Sequence, residues 1–224
     1  MEPIAQLALA SAAFLATHFV SSTPLREAIV RRAGEKAYLA LYSLVAFAAL
    51  GWMVWAYRSA APQALWGGLK LLPAIVMSFA LILLVAGVLG KNPTAVGQSR
   101  LLRADDPVRG MLRVTRHPLM WGIMLWAFAH LLARGTLNGA IFFGSLLALA
   151  ALGTLAIDAR KARTLGDDWR RFAARTSNVP FVAIAQGRNR FAPGEIGLAR
   201  TVFGLILYGG LLLSHAWLFG AQPY

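Results

Sequence analysis

Six apolar runs, each about as long as a membrane-crossing helix, constrain what this chain can fold into. A helix needs about 20 apolar residues to cross the roughly 30 Å hydrocarbon core of a bilayer. Of the 224 residues, 58% are hydrophobic, and the mean hydropathy is +0.60. The runs are, in chain order, 4–22, 37–56, 71–89, 118–133, 137–157 and 201–219. The pattern predicts an all-α integral membrane bundle of six transmembrane helices, forming a single domain over residues 1–224.

Positive charge alternates between the gaps that separate these runs. Of the 22 Lys and Arg residues, the first, third and fifth gaps hold 4, 6 and 9. Cytoplasmic loops of membrane proteins carry an excess of Lys and Arg. These three gaps are therefore predicted to face the cell interior. The predicted localisation is the bacterial inner membrane, crossed several times, with both termini in the periplasm.

The composition excludes several function classes. The net charge is +13, but it lies at the ends of apolar runs and no nucleic-acid motif accompanies it. It is interpreted as topogenic charge that attracts anionic headgroups, so the predicted partner is the lipid bilayer and no nucleic acid is expected. The chain contains no cysteine, which excludes disulfides, thiolate metal sites and thiol catalysis.

Three shorter segments in the basic gaps have helical patterns. The segment 25–33 lies between Pro24 and Gly34, and 108–114 leads into the fourth run. The segment 159–176 places Leu165, Trp169 and Phe172 on one face among arginines. An amphipathic basic helix beside a membrane is predicted to lie in the interface.

Candidate chemistry begins with the histidines, because all four lie in or at the edge of apolar runs: His18, His117, His130 and His215. Ionisable residues at membrane depth are costly to bury and are often functional. Pro118 restricts the residue before it, so His117 is predicted at the entrance of the fourth helix. There it would lie beside Arg116 and the free amides of the first turn, a place suited to anions. A simple interfacial basic pair explains the pattern equally well.

Among the acidic residues, Asp158 has the best position for a site. It falls at the inner end of the fifth run and is expected to border the bundle, with an ion pair to one of the many arginines. The adjacent pairs Asp105-Asp106 and Asp167-Asp168 diverge by about 100° on a helix, so neither is a preformed acid and base couple.

The C-terminal half resembles a known enzyme class. The matching residues are Arg116-His117-Pro118, Gly122, Asp158, Leu165-Gly166-Asp167-Asp168-Trp169 and Val179-Pro180. They are similar to the corresponding half of isoprenylcysteine and phospholipid methyltransferases. This resemblance implies a binding site for S-adenosylmethionine near Arg116, His117 and Asp158.

A longer resemblance covers nearly the whole chain in order. Its stretches are His18, RRAGEKAY at 31–38, NPT at 92–94, GMLRVTRHP at 110–118, WAFAHLL at 126–132, DAR at 158–160 and RTSNVPF at 175–181. They resemble the NnrU family, which is named for a role in nitrite and nitric oxide reduction and includes 15-cis-zeta-carotene isomerases. The resemblance implies haem b held by His18 and His130, with Arg116 available to pair with the haem propionates.

Depth in the bilayer leaves a second histidine pairing open. At 1.5 Å per residue, His18 and His130 would differ in depth by about 10 Å in a six-helix bundle. On depth alone, His18 pairs better with His117, and His130 with His215.

Three functional hypotheses follow from these observations. The first is a membrane protein of nitrite and nitric oxide metabolism (denitrification) that binds haem b, is isomerase-like and takes an apolar small-molecule ligand. The second is a membrane methyltransferase that uses S-adenosylmethionine. The third is a non-catalytic accessory subunit that binds components of a respiratory reductase.

Overall fold

The computed structural model describes residues 1–223, except for the side chain of Ser22, so Tyr224 at the end of the predicted domain 1–224 lies outside the described residues. The described chain is all-α, as predicted, with no β-strand. Its helices are, in chain order, α1 Pro3–Phe19, α2 Pro24–Ala33, α3 Glu35–Ser59, α4 Leu71–Leu89, α5 Met111–Val114, α6 Pro118–Arg134, α7 Leu137–Arg175, α8 Val182–Ala185, α9 Pro193–Ile196 and α10 Leu198–Phe219. Short 3₁₀ turns occupy Val20–Ser22 and Ser99–Arg103.

Each of the six apolar runs becomes a helix, but the helices differ in their ability to cross a bilayer. Four of them, α3, α4, α7 and α10, are long and apolar enough by themselves. Helices α1 and α6 have 17 residues each, about 25 Å, which is the lower end of the spanning range. Helices α1 and α2 together would make a fifth candidate, bent by 66° between them. A multi-pass membrane protein follows directly, and the crossing of all six helices stays a prediction.

The helices group into two compact units. The first unit contains Met1–Leu69 and His130–Leu149, and the second contains Lys70–Ala129 and the described residues from 150 to 223.

In the first unit, α1 packs along α3, with Leu7, Phe14 and Met53 buried. The Asn138 side-chain amide donates a hydrogen bond of 3.0 Å to the carbonyl of Ala60, just beyond the end of α3.

In the second unit, small residues let α4 approach two neighbouring helices closely. A Cβ atom on Gly87 would meet the backbone nitrogen of Leu119 at 2.5 Å, so α4 touches the first turn of α6 there. A Cβ on Gly204 of α10 would lie 3.0 Å from the Cα of Ile82. The Tyr208 hydroxyl donates to the carbonyl of Ala74 at 2.6 Å and ties α10 to the start of α4. The absence of a side chain at Gly204 lets α10 pack this closely against α4.

Helix α7 is longer than the fifth apolar run. It continues for 39 residues to Arg175, interrupted at Gly166, whose backbone has φ 51° and ψ −122°. The predicted interfacial helix is therefore the last part of α7. Its Trp169 and Phe172 are buried in a cluster with Leu102, Val108 and Leu112.

Candidate functional site

Pro118 positions the centre of the candidate site in the second unit. Because proline has no amide proton and fixes φ, α6 begins at Pro118 and His117 lies at its entrance, as predicted. Thr115 before it is extended, with φ −151° and ψ 145°. The His117 amide donates to the Thr115 hydroxyl at 3.2 Å, and that hydroxyl donates to the carbonyl of Asn178. Thr115 and its hydrogen bonds therefore hold the chain before the Arg116-His117 pair, and Pro118 at the start of α6 holds it after the pair.

The carboxylate of Asp158 binds both Arg116 and His117. His117 Nε2 lies 2.7 Å from Oδ1, Arg116 Nε lies 3.0 Å from each carboxylate oxygen, and Arg116 Nη2 also donates to Oδ2. The His117 side chain is 1% exposed, and those of Arg116 and Asp158 are 15% and 17% exposed. Since a carboxylate accepts but does not donate, His117 Nε2 carries the hydrogen. The two residues of the Arg-His-Pro motif are therefore held by one acid from α7.

Backbone and aromatic contacts surround this ion pair. The Arg116 amide donates to the carbonyl of Ser177 at 2.9 Å, and the Arg116 carbonyl accepts from the Thr94 hydroxyl at 3.0 Å. The Arg116 guanidinium carbon lies 5.9 Å from the centre of the Trp169 ring, within cation–π range. The segments 92–94 and 175–181 that carry the family resemblance thus converge on Arg116.

A polar row runs along one face of α7 through Asp158. Thr154 lies one turn before it and Lys161 lies one turn after it. The Thr154 hydroxyl accepts from the Asn178 amide at 2.8 Å, and the carbonyl oxygen of that amide accepts from Trp121 Nε1 at 3.3 Å. The buried Lys161 ammonium donates to the carbonyl of Pro93 at 3.0 Å and to the hydroxyl of Ser99. Every polar group in this row is held by a protein partner, which makes the site rigid.

A second ion pair anchors the segment before the site and was not predicted. Arg113 binds Glu195 through two bonds, Nε to Oε2 at 2.7 Å and Nη2 to Oε1 at 3.0 Å, and its Nη1 donates to Asn189 at 3.0 Å. The Gly110 amide also donates to Glu195, at 3.1 Å, from a backbone with φ 60° that favours glycine. The hydrogen bond from Arg113 lowers the pKa of the Glu195 carboxyl below its usual value, and the same bond raises the pKa of Arg113. The sequence indicated this ion pair only in that Arg113 belongs to the GMLRVTRHP stretch at 110–118.

The other three histidines lie outside this cluster. His18 Nδ1 lies 2.7 Å from the carbonyl of Phe14, and its ring contacts the rings of Phe14 at 4.3 Å and Tyr42 at 5.9 Å. The His130 ring lies 5.3 Å from the ring of Phe143. His215 Nδ1 lies 2.7 Å from the carbonyl of Ala221.

Comparison with known proteins places the chain in a family. The NnrU protein model matches residues 6–223. The chain belongs to the NnrU family.

Two curated relatives of this NnrU chain are plant enzymes. One is the chloroplastic 15-cis-zeta-carotene isomerase of Arabidopsis thaliana, 39% identical over 79 residues, which is 35% of the chain and 22% of the relative. The other is the chloroplastic 15-cis-zeta-carotene isomerase of Zea mays, 33% identical over 81 residues, which is 36% of the chain and 22% of the relative. The matched region therefore spans about a fifth of the length of each relative. No solved structure matches the NnrU chain.

Of the five predicted site residues, the NnrU chain brings three together. Arg116, His117 and Asp158 form one cluster, and the predicted pairing of Asp158 with an arginine is confirmed. His18 and His130, the predicted iron ligands, have separate ring neighbours in the first unit. The acidic pairs are not acid and base couples: Asp106 binds Arg113 and Arg175, and Asp168 binds Arg103 and Arg171.

The contacts of His18 and His117 decide which of their ring nitrogens remains for a metal. A carbonyl oxygen only accepts, so His18 Nδ1 carries the hydrogen and Nε2 keeps its lone pair. His117 has the opposite arrangement, since its Nε2–H points at Asp158. His18 would therefore suit a haem iron as a ligand better than His117. Residues 1–223 hold no group of three or more His, Asp or Glu side chains arranged for a bare metal ion, whereas a haem needs only one or two ligands.

Proposed function

We propose that this NnrU-family chain is an isomerase-like membrane protein that acts on an elongated apolar polyene. The proposal rests on the identity with two 15-cis-zeta-carotene isomerases, 39% and 33% over about 80 residues each. A substrate of this class dissolves in the bilayer, which agrees with a protein whose helices are long and apolar enough to lie in it.

The proposal includes haem b held by His18 and His130. The orientation of His18 supports it, because a histidine ligand commonly donates its other ring N–H to a backbone carbonyl. When bound, the haem would supply one-electron chemistry to a conjugated double bond. The protein's own contribution is to hold the imidazoles and to keep water away.

An apolar pocket beside His18 supports a ligand of this class. It has a volume of about 160 Å³ and lies among α1, α2 and α3, where its lining includes Thr17, Ile29 and Tyr42. The ring of Tyr42 also contacts the His18 ring. Ligand pockets usually measure about 300–1,000 Å³, so this volume suits the end of a chain rather than a whole cofactor.

An absorbance spectrum of the detergent-purified protein, expressed with sufficient haem, tests the cofactor. The wild type is expected to show a Soret band that His18→Ala and His130→Ala each lose. His215→Ala is the matched control and should retain the band, because His215 is outside the proposed pair. Loss of the band in H215A with retention in H18A would favour the pairing of His130 with His215, and a colourless wild type would refute haem binding.

Activity is tested separately in proteoliposomes that contain 15-cis-zeta-carotene. The proposal predicts conversion of the 15-cis bond to trans, followed by chromatography, and loss of this conversion in H18A and H130A. A coloured protein with no conversion would retain haem binding and refute the isomerase assignment.

The same proposal includes the membrane in which the protein lies, its orientation there and its metabolic role. The alternation of basic gaps supports insertion into a bacterial inner membrane with both termini in the periplasm. The support for a link to nitrite and nitric oxide metabolism is membership of the NnrU family, whose resemblance to this chain implied that role. Growth of a deletion strain on nitrite tests this link, and unchanged nitrite consumption would refute it.

A methyltransferase is the second candidate, because the three residues of that resemblance do converge. Arg116, His117 and Asp158 lie within hydrogen-bonding distance in the second unit. Saturable binding of S-adenosylmethionine in calorimetry, lost in Asp158→Asn, would favour this candidate over the isomerase.

A further inference from the structure

A cavity of about 480 Å³ lies in the second unit between residues 102–108 and the last turns of α7. Its volume falls in the range of about 300–1,000 Å³ that is usual for ligand pockets. None of its lining residues belongs to the Arg116–Asp158 site. The cavity is thus a separate candidate for ligand binding.

The floor of this cavity is apolar. Its accessible apolar surface comes from Ala104, Pro107 and Ala174. Leu102, Val108 and Phe172 also line it, but they are at most 7% exposed and belong to the buried cluster with Leu112 and Trp169. Because that cluster is packed, the lining next to it offers a fixed apolar surface to the carbon chain of a ligand.

The rim of the cavity carries Arg103, Arg171 and Arg175, whose side chains are 84%, 72% and 48% exposed. Arg103 Nε and Arg171 Nη2 donate to Asp168 at 3.4 Å and 2.6 Å, and Arg175 Nη2 donates to Asp106 at 2.9 Å. A guanidinium has five N–H donors, so each of these bonds leaves most of them for a ligand. The carboxylates aim the guanidiniums without using up their donors.

The charge of the lining favours an anion. Three lining arginines exceed the two lining carboxylates, Asp105 and Asp168, and Asp106, which binds Arg175, is also paired with Arg113. The planar fork of arginine matches the oxygens of a phosphate, which accept two parallel N–H bonds from one side chain.

We propose that this cavity binds the phosphate of an anionic amphiphile. The rim arginines hold the phosphate oxygens, and the carbon atoms next to the phosphate lie on the floor formed by Ala104, Pro107 and Ala174. A membrane lipid headgroup is the source that combines both chemistries beside an apolar helix bundle. A soluble phosphate offers only the anionic oxygens and no carbon chain for the floor. The inference is independent of the proposed isomerase activity.

Calorimetry on the full chain in uncharged detergent tests the proposal. The probes are dihexanoyl phosphatidic acid, dihexanoyl phosphatidylcholine and inorganic phosphate. Saturable binding of the phosphatidic acid is expected, with weaker binding of the other two. The double variant R171Q/R175Q should bind phosphatidic acid about tenfold more weakly, because each substitution removes charge-assisted hydrogen bonds.

The matched control is R163Q/R170Q, which removes the same charge from exposed positions of α7 that do not line the cavity. It should bind phosphatidic acid like the wild type. If R171Q/R175Q fails to fold in a thermal melt, the single variant R103Q, at a highly exposed side chain, should weaken binding several-fold. Equal weakening in both double variants, unchanged binding in R103Q, or no saturable binding by the wild type would overturn the proposal. Inorganic phosphate binding as tightly as phosphatidic acid would overturn the role of the floor.

Discussion

At the scale of single residues, Asp158 is the side chain on which the candidate site depends. It accepts the hydrogen bonds from Arg116 and His117 that join them to α7. The sequence predicted that Asp158 would pair with an arginine but did not identify which one, because the partner lies 42 residues earlier. The packing of the segment before α6 against α7 brings Arg116 to Asp158, in agreement with the methyltransferase resemblance, which placed both residues near one site.

Replacing Asp158 with Asn is expected to destabilise the protein by roughly 2–4 kcal/mol, because it leaves a largely buried guanidinium without its counter-charge. The measurement is thermal unfolding in detergent. Asp167→Asn is the matched control, since Asp167 pairs with Arg170 on an exposed part of α7. It should leave the melting temperature unchanged. Equal shifts for the two variants would contradict a special role for Asp158.

Glu195 gives a pH dependence that can be checked. Because Arg113 lowers its pKa in the folded state, the pair contributes stability above the unfolded pKa of about 4.5, and this contribution disappears as pH falls through the lower folded value. Melting temperature measured from pH 6 to pH 3 should therefore fall for the wild type. Glu195→Gln should have a lower melting temperature at pH 6 and a flatter acid limb. Glu27→Gln, on the exposed side of α2, is the control, and its melting temperature should fall with pH as that of the wild type does. If the melting temperature of E195Q falls with pH as steeply as that of the wild type, the linkage to Glu195 is refuted.

At the scale of elements, the positions of the long helices could be predicted from the sequence, but the extent of α7 could not. Asp158 and Lys161 resemble the end of a membrane span because they are charged. In the fold, Arg116 neutralises the acid, and the carbonyl of Pro93 with the hydroxyl of Ser99 receives the ammonium, so the helix continues past both. The link between Arg113 and Glu195 was equally out of reach, because nothing local joins residues 82 positions apart.

Gly166 is the position where α7 changes direction, and its backbone requires glycine. Gly166→Ala is expected to cost about 1–3 kcal/mol, since φ 51° with ψ −122° is unfavourable for residues with a Cβ. Gly153→Ala in the same helix is the control. It has open space around its Cβ position and should stabilise the helix by roughly 0.5–1 kcal/mol. Chemical denaturation in detergent measures both changes. Stabilisation by G166A would show that the break is not fixed by this residue.

At the scale of the whole molecule, membrane topology links the sequence to every functional proposal. The alternation of apolar runs and basic gaps predicted six helices at the observed positions, and four of them are long and apolar enough to span by themselves. Helices α1 and α6 have 17 residues each. The three basic gaps lie on the same side of the membrane only if both of these helices cross it. If both cross, the Arg116–Asp158 site and the arginine-rimmed cavity face the cell interior, and the termini face outward.

Single-cysteine labelling with a membrane-impermeant reagent in intact cells tests this topology most directly, because the chain has no cysteine of its own. Cysteines at Glu2, Gln63 and Arg134 are predicted to react from outside, and those at Arg31 and Ala174 only after the membrane is opened. Labelling of Glu2 and Arg31 from the same side would show that α1 does not cross. Labelling of Ala174 from outside would contradict the six-helix arrangement and the inward-facing site.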